Sequence, residues 1–310
     1  SRRQRARRGT ARIVEPGREL TPTDAEWSRA RPPWQRMMKR LLLLKLGDAQ
    51  AYVTSARARE RLAGTNVETW FEREAGARMD VVEVRARANP LLPPVPAADV
   101  GKTYAGIIVS GSPAMVTDRE DWSEALAGWL RDVARLPTPV PILGVCYGHQ
   151  LLAHALGGQV DWNSLGTQSG TVPLHLARAE AAVDPLFSAL VPLPEPLLVQ
   201  VSHSQIVARA PPLARPLGAT SADANSALSY FPALPVWSTQ FHPEFNRDVM
   251  LAHVETRADR LREQGKDPDA IAGSVRDSRA GPALLRRFVD LCFNGLNATR
   301  RDQTTGTSAL

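Results

Sequence analysis

The central part of the chain alternates unbroken apolar runs with amphipathic stretches. Leu41–Leu46 is a nearly continuous apolar run between Arg40 and Gly47, the pattern of a strand buried on both faces. Asn66–Ala75, carrying Trp70 and Phe71, reads as a helix, Asp80–Val84 as a second strand, 88–100 as a proline-rich loop and Tyr104–Ser110 as a third strand. Asp118 is expected to cap a helix over Arg119–Leu136, because Trp122, Leu126, Trp129 and Val133 recur at helical spacing. Pro139–Val145 is the next strand. Strands alternating with helices of this length predict an α/β fold, a mainly parallel sheet covered on both faces, with reactive groups gathered at the carboxyl ends of the strands.

Beyond Val160 the texture changes to short apolar runs separated by Pro, Gly, Ser and Asn. Thr171–Leu176, Leu197–Val201, Ile206–Ala208, Ala227–Phe231 and Val236–Phe241 read as smaller, partly antiparallel strands. Two helices, Asn246–Gln264 and Pro282–Asn297, are predicted near the end. The expected organisation is a disordered basic tail over 1–37, one domain over 38–299 and a disordered tail over 300–310.

Charge sharpens this division. The 310 residues carry a net charge of +6, which at first suggests nucleic acid. Residues 1–40, however, hold twelve Arg/Lys against four Asp/Glu, and the remainder holds 26 against 28. The body therefore has no excess of positive charge to track phosphates, and nucleic acid is not the expected partner. Met37-Met38 immediately precede the first strand and are the expected native start, with the upstream residues an over-extended reading frame; a nucleic-acid-binding arm or a targeting peptide are the alternatives. The leucine run after Lys39-Arg40 is too short for a signal sequence, and no stretch approaches the roughly twenty apolar residues of a membrane span. Two cysteines make no disulfide framework and suit a reducing cytoplasm.

Candidate chemistry lies at Pro141–Gln150. An apolar strand ends in Gly144-Val145-Cys146-Tyr147-Gly148, and a helical pattern with Leu151, Leu152, Ala155 and Leu156 follows. This is a nucleophile elbow, in which flanking glycines permit a sharp strand-to-helix turn and the helix N-terminus favours thiolate. Cys292 lies in a helical apolar stripe with Leu284, Leu285, Phe288 and Leu291 and reads as a core residue. A nucleophile needs a base and an orienter, and Gln240-Phe241-His242-Pro243-Glu244 supplies both. In extended backbone His242 and Glu244 project to the same side. No metal-ligand cluster, cofactor motif or phosphate-binding loop accompanies them; Gly111-Ser112-Pro113 lacks the Lys-Ser/Thr of a P-loop.

Gly-Val-Cys-Tyr-Gly-His-Gln (144–150) together with Gln-Phe-His-Pro-Glu (240–244) resembles the class I glutamine amidotransferase family, and within it the stand-alone relatives of the GMP synthase glutaminase domain. Ile107–Pro113 resembles the strand and glycine loop that carries the family's oxyanion hole. The resemblance implies a flavodoxin-like three-layer sandwich with a central mainly parallel sheet plus a small antiparallel sheet. It also implies Cys146 as nucleophile on a γ-glutamyl amide, His242 as base, Glu244 as its orienter, the N–H groups of Gly111 and Tyr147 as oxyanion donors, and Gln150 as a contact to the glutamyl moiety. No cofactor follows from it. The implied partners are glutamine or another γ-glutamyl compound and a synthetase subunit that takes up ammonia.

The chain departs from the family pattern at two places. His203 is followed by Gln205 where an acid is usual, and Gln168-Ser169 stands where another acid is usual. A role for the acid at position 205 in binding the substrate ammonium is put in doubt, Gln168-Ser169 point to a shifted substrate specificity, and His203 reads as a hydrogen-bonded loop residue. Three functions therefore stay open: a glutamine amidotransferase-like thiol enzyme, a γ-glutamyl peptidase acting on glutathione-like conjugates, and a non-catalytic binding or regulatory module with this fold.

Overall fold

In a computed structural model of the chain, residues 39–47, 53, 55–84 and 95–295 are described. The expected tails, 1–37 and 300–310, lie outside these residues, as does the first part of the proline-rich loop. Strand β1 (Arg40–Lys45) is built on Leu41–Leu44, all fully buried. It is flanked in parallel by β2 (Met79–Glu83) and β3 (Tyr104–Val109), and the parallel series continues through β4 (Ile142–Val145) to β11 (Val236–Thr239). The alternation of β1 divides the core. Leu41 and Leu43 pack with Trp70, Phe71 and Phe288 on one face, and Leu42 and Leu44 pack with Leu126, Leu130 and Leu152 on the other. Buried helices on both faces are what an apolar parallel strand requires.

The helices on these faces are α1 (Ala56–Arg61), α2 (Val67–Ala75), α3 (Val100–Thr103), α4 (Asp121–Ala134) and α5 (Tyr147–Ala155) in the first half of the chain. They are followed by α6 (Arg178–Ala182), α7 (Arg247–Thr256), α8 (Ala258–Glu263), α9 (Pro268–Ser274) and α10 (Ala280–Asn294). Beyond β11 the same sheet turns antiparallel through β10 (Asp223–Ser229), β9 (Arg215–Thr220), β6 (Gln168–Leu176) and β7 (Leu197–His203). A separate two-stranded antiparallel sheet joins β5 (Gln159–Trp162) to β8 (Gln205–Arg209). The architecture is thus the predicted three-layer α/β sandwich with a small antiparallel sheet.

Three local expectations are corrected. Asp118 does not cap α4. It closes a 3-10 turn over Val116–Asp118, Arg119 adopts a left-handed φ of 53°, and the helix starts at Asp121 after Glu120. The helix expected over Asn246–Gln264 breaks at Arg257, whose φ of −100° and ψ of 7° separate α7 from α8. Asp267 then caps α9, which the pattern did not predict, through bonds from Asp269 N and Ala270 N.

Candidate active site

Strand β4 delivers Cys146 to a turn with φ 53° and ψ −102°, and α5 begins at the next residue. A non-glycine residue with positive φ stores strain that only the surrounding structure can hold, and such residues gather at functional sites. The neighbours explain how it is held. A Cβ on Gly144 would lie 2.6 Å from Gly148 O, and one on Gly148 would lie 2.3 Å from Val109 O. Both flanking glycines therefore let helix and strand approach more closely than side chains permit. Cys146 N donates to Thr239 O at 2.8 Å, tying the elbow to the end of β11.

Strand β11 runs parallel to β4 with Thr239 opposite Val145, so the chain leaving it emerges beside Cys146. His242 Nδ1 lies 2.8 Å from Glu244 Oε1, and both residues are buried. The contact arises differently from the expectation. The strand stops at Thr239, and Pro243-Glu244 form a turn closed by Phe245 N donating to His242 O at 3.4 Å. The His242 ring stacks on Phe245 with centroids 4.0 Å apart. Burial alone would lower the His242 pKa, but the Glu244 carboxylate and the Cys146 sulfur outweigh it and raise it to about 10.

The glycine loop closes the third side. Ser110 N donates to Leu44 O, and Ser110 Oγ accepts from Leu46 N at 3.0 Å and donates to Gly111 O at 3.0 Å. Gly111 thereby faces both side chains: its missing Cβ would lie 3.1 Å from His242 Cε1 and 3.5 Å from Cys146 Cβ. Among the described residues, the N–H groups of Gly111 and Tyr147 donate to no protein acceptor.

These groups open into one cavity of about 310 Å³, also lined by Gln150, Ser202, His203 and Gln205. Gln150 Nε2 donates to Gln205 O at 2.8 Å and Gln240 Oε1 at 2.9 Å, which leaves its carbonyl oxygen for a ligand. His203 ends β7 instead of lying in a loop, and its Nδ1 is 3.0 Å from Gln205 O. Burial lowers its pKa to about 4, so the ring is neutral, donates from Nδ1 and accepts at Nε2. The Gln168 side-chain amide stands 3.0 Å from Nε2. Gln205 accepts from Val116 N at 3.1 Å and donates to Thr117 Oγ1 at 2.5 Å, so its side chain holds the 3-10 turn.

Pattern reading missed Ser202, His253 and Arg257 on the wall. Arg257, at the break between α7 and α8, donates from Nη1 to Ser202 Oγ at 2.7 Å and lies 3.1 Å from His253 Nδ1. Burial and the Arg257 charge push His253 well below the usual imidazole range, so it accepts that bond as a neutral ring. The four-residue spacing of His253 and Arg257 was visible, but nothing in the sequence marked that face as site-facing. Among the described residues no group of His, Cys, Asp or Glu is placed to hold a metal ion, and no helix is long and apolar enough to cross a membrane.

The family model described as glutamine amidotransferase class-I matches residues 72–255. Over 141 residues the chain is 40% identical to the glutamine-hydrolyzing GMP synthase of Symbiobacterium thermophilum, a match covering 45% of this chain and 24% of that one. Over 147 residues it is 31% identical to one subunit of the glutamine-hydrolyzing GMP synthase of Methanopyrus kandleri, covering 47% of this chain and 70% of the relative. The chain thus spans about a quarter of the first relative's length and more than two-thirds of the second's. A solved glutamine amidotransferase structure from Thermotoga maritima superposes with a TM-score of 0.59 at 17% identity, covering 83% of this chain and 99% of that one, which establishes the shared fold.

Proposed function

The chain belongs to the class I glutamine amidotransferase family, and on that premise we propose that it hydrolyses a γ-glutamyl amide through a thioester on Cys146. The reading is carried by one observation: the positive-φ Cys146, the His242–Glu244 pair at 2.8 Å and the N–H groups of Gly111 and Tyr147, unpartnered among the described residues, share one cavity. Glu244 holds His242 Nδ1, which leaves Nε2 for the thiol, so His242 takes the Cys146 proton as an imidazolium. Sγ bonds to the amide carbon, and the tetrahedral oxyanion is stabilised by the two N–H groups, each contributing on the order of 3 kcal/mol. Collapse breaks the C–N bond, with His242 protonating the departing ammonia or amine. Water then attacks the thioester, His242 accepts its proton, and glutamate and the Cys146 thiolate separate.

Gln150 presents its free carbonyl oxygen to the glutamyl moiety. The proposed amidotransferase domain runs over 38–299. The names of the relatives raise glutamine as substrate, with ammonia passing to a separate synthetase subunit. A second reading is γ-glutamyl peptidase activity on glutathione-like conjugates; Gln205 and Gln168 are engaged with Thr117 and His203 and offer no carboxylate to the α-ammonium that both substrate classes carry. Pro113 restricts its own φ and disfavours helical backbone at Ser112, which favours a preformed oxyanion loop and partner-independent turnover. Incubating the full chain with glutamine and with γ-glutamyl peptides, and assaying glutamate, tests all of this. Glutamate release lost in Cys146→Ala supports the hydrolase. Turnover only when a synthetase is added overturns partner independence, and no turnover with or without it favours a binding module.

A further inference from the structure

Among the described residues, Arg257 is a cation without a carboxylate partner beside the proposed nucleophile. No carboxylate pairs with it among the described residues; its Nη1 bonds the Ser202 hydroxyl and His253, while Nη2 and Nε bond no protein group there. An arginine side chain at a helix C-terminus can bond the last carbonyls; here the backbone N–H of Arg257 does so, and its guanidinium turns to Ser202 and His253. Burial lowers its pKa and the nearby Cys146 sulfur raises it, so it is a half-buried charge whose solvation is reduced. Holding such a charge without a partner is costly, and groups of this kind cluster where a ligand supplies the opposite charge.

Ser202 sets the distance. Its carbonyl oxygen is 3.9 Å from Cys146 Sγ and its hydroxyl is 2.7 Å from Arg257 Nη1, so one residue touches both groups. In a γ-glutamyl group four carbon–carbon bonds separate the reacting carbon from the α-carboxyl carbon, a span of about 5 Å. Among the described residues on the cavity wall, the carboxylate present is Glu244, and it is engaged by His242. The wall is therefore biased towards an anion, with Arg260 adding a second positive charge at its edge.

We propose that Arg257 is a specificity-determining residue that anchors the α-carboxylate of a γ-glutamyl substrate through its free Nη2 and Nε, preorganised by Ser202 and His253. This rests on the γ-glutamyl reading of the site. The planar fork suits a carboxylate bidentately, and two such charge-assisted bonds distinguish a substrate with the carboxylate from one without it.

The test uses the full chain with Cys146→Ala, so that no turnover occurs, and measures binding by calorimetry of L-glutamine and of 4-aminobutanamide, which is glutamine without its α-carboxylate. L-Glutamine is expected to bind more tightly, and adding Arg257→Met is expected to weaken it by about tenfold to a hundredfold while leaving 4-aminobutanamide unchanged. Arg257→Lys, which keeps the charge but not the fork, is expected to fall between. Equal affinity of the two ligands, no measurable glutamine binding, or an equal loss for both in Arg257→Met overturns the proposal. Turnover by the parent protein is read separately. Arg257-dependent binding without turnover sinks the hydrolase reading alone, and turnover unaffected by Arg257→Met sinks the carboxylate anchor alone.

Discussion

Gly111 and His242 meet where a side chain barely fits: a Cβ on Gly111 would stand 3.1 Å from His242 Cε1. That contact is tight but not impossible, so the ring has to move by a few tenths of an ångström. Gly111→Ala should therefore fold, with a cost of about 1–2 kcal/mol. Displacing the base relative to Cys146 should nonetheless lower kcat by about ten- to a hundredfold. Steady-state kinetics beside a thermal melt separates the two; a variant that melts normally and keeps full kcat contradicts the proposed role of this loop.

Glu244→Gln should move the titration of His242. In the folded protein the ring is raised above its ordinary 6.5 to about 10, so the protonated form is favoured by folding. That contribution to stability is complete below about pH 6.5 and is lost as pH rises through about 10. Removing the carboxylate leaves burial, which lowers the pKa, less opposed. The His242 ring-proton NMR titration should shift down by about a unit or more, and the stability difference between parent and variant should be at its full value near pH 6.5 and fade as pH rises through about 10. Activity should fall by about 10²–10⁴-fold. An unmoved midpoint would show that Glu244 does not hold the charge.

The two cysteines should differ sharply towards a glutamine-mimicking electrophile such as a diazo-ketone analogue. Cys146 stands in the cavity beside His242. Cys292 is on α10, where burial pushes its thiol well above the ordinary range. Mass spectrometry of the labelled chain should find the adduct on Cys146 and none on Cys292, with labelling abolished by Cys146→Ala. Equal labelling would remove the ground for assigning the nucleophile.

The parts that sequence revealed are those with a local cause. Four consecutive leucines at 41–44 announced a strand covered on both faces, and Gly144-x-Cys146-x-Gly148 announced a turn in which close approach requires missing side chains. Strand β9 was invisible because Pro216 and Gly218 suppress the strand signal, although Pro216 pairs opposite Leu228 in the sheet. The break at Arg257 was equally hidden. An arginine at helical spacing reads as solvent-facing, and only the tertiary approach of β7, bringing Ser202 to its guanidinium, turns it into the cavity. His242 and Glu244 were paired from their spacing, but the turn at Pro243, not strand alternation, brings them together.

Gly148 offers the harshest test of the elbow. Its missing Cβ would lie 2.3 Å from Val109 O and 2.9 Å from Val109 C, both backbone atoms of a central strand that cannot swing aside as a side chain could. Gly148→Ala must therefore push α5 away from β3 or distort the turn at Cys146, and should cost about 3 kcal/mol or more, above the usual range for overpacking. The comparison is Gly128→Ala on α4, where the nearest atom to the new Cβ is Arg131 Nη2 at 3.7 Å, an ordinary contact. That change removes a flexible residue from a helix interior and should stabilise by about 0.5–1 kcal/mol. Denaturant melts of the two variants should thus move in opposite directions from the parent. If Gly148→Ala unfolds at the parent's midpoint, the close packing of helix on strand is not what fixes the strained backbone at Cys146.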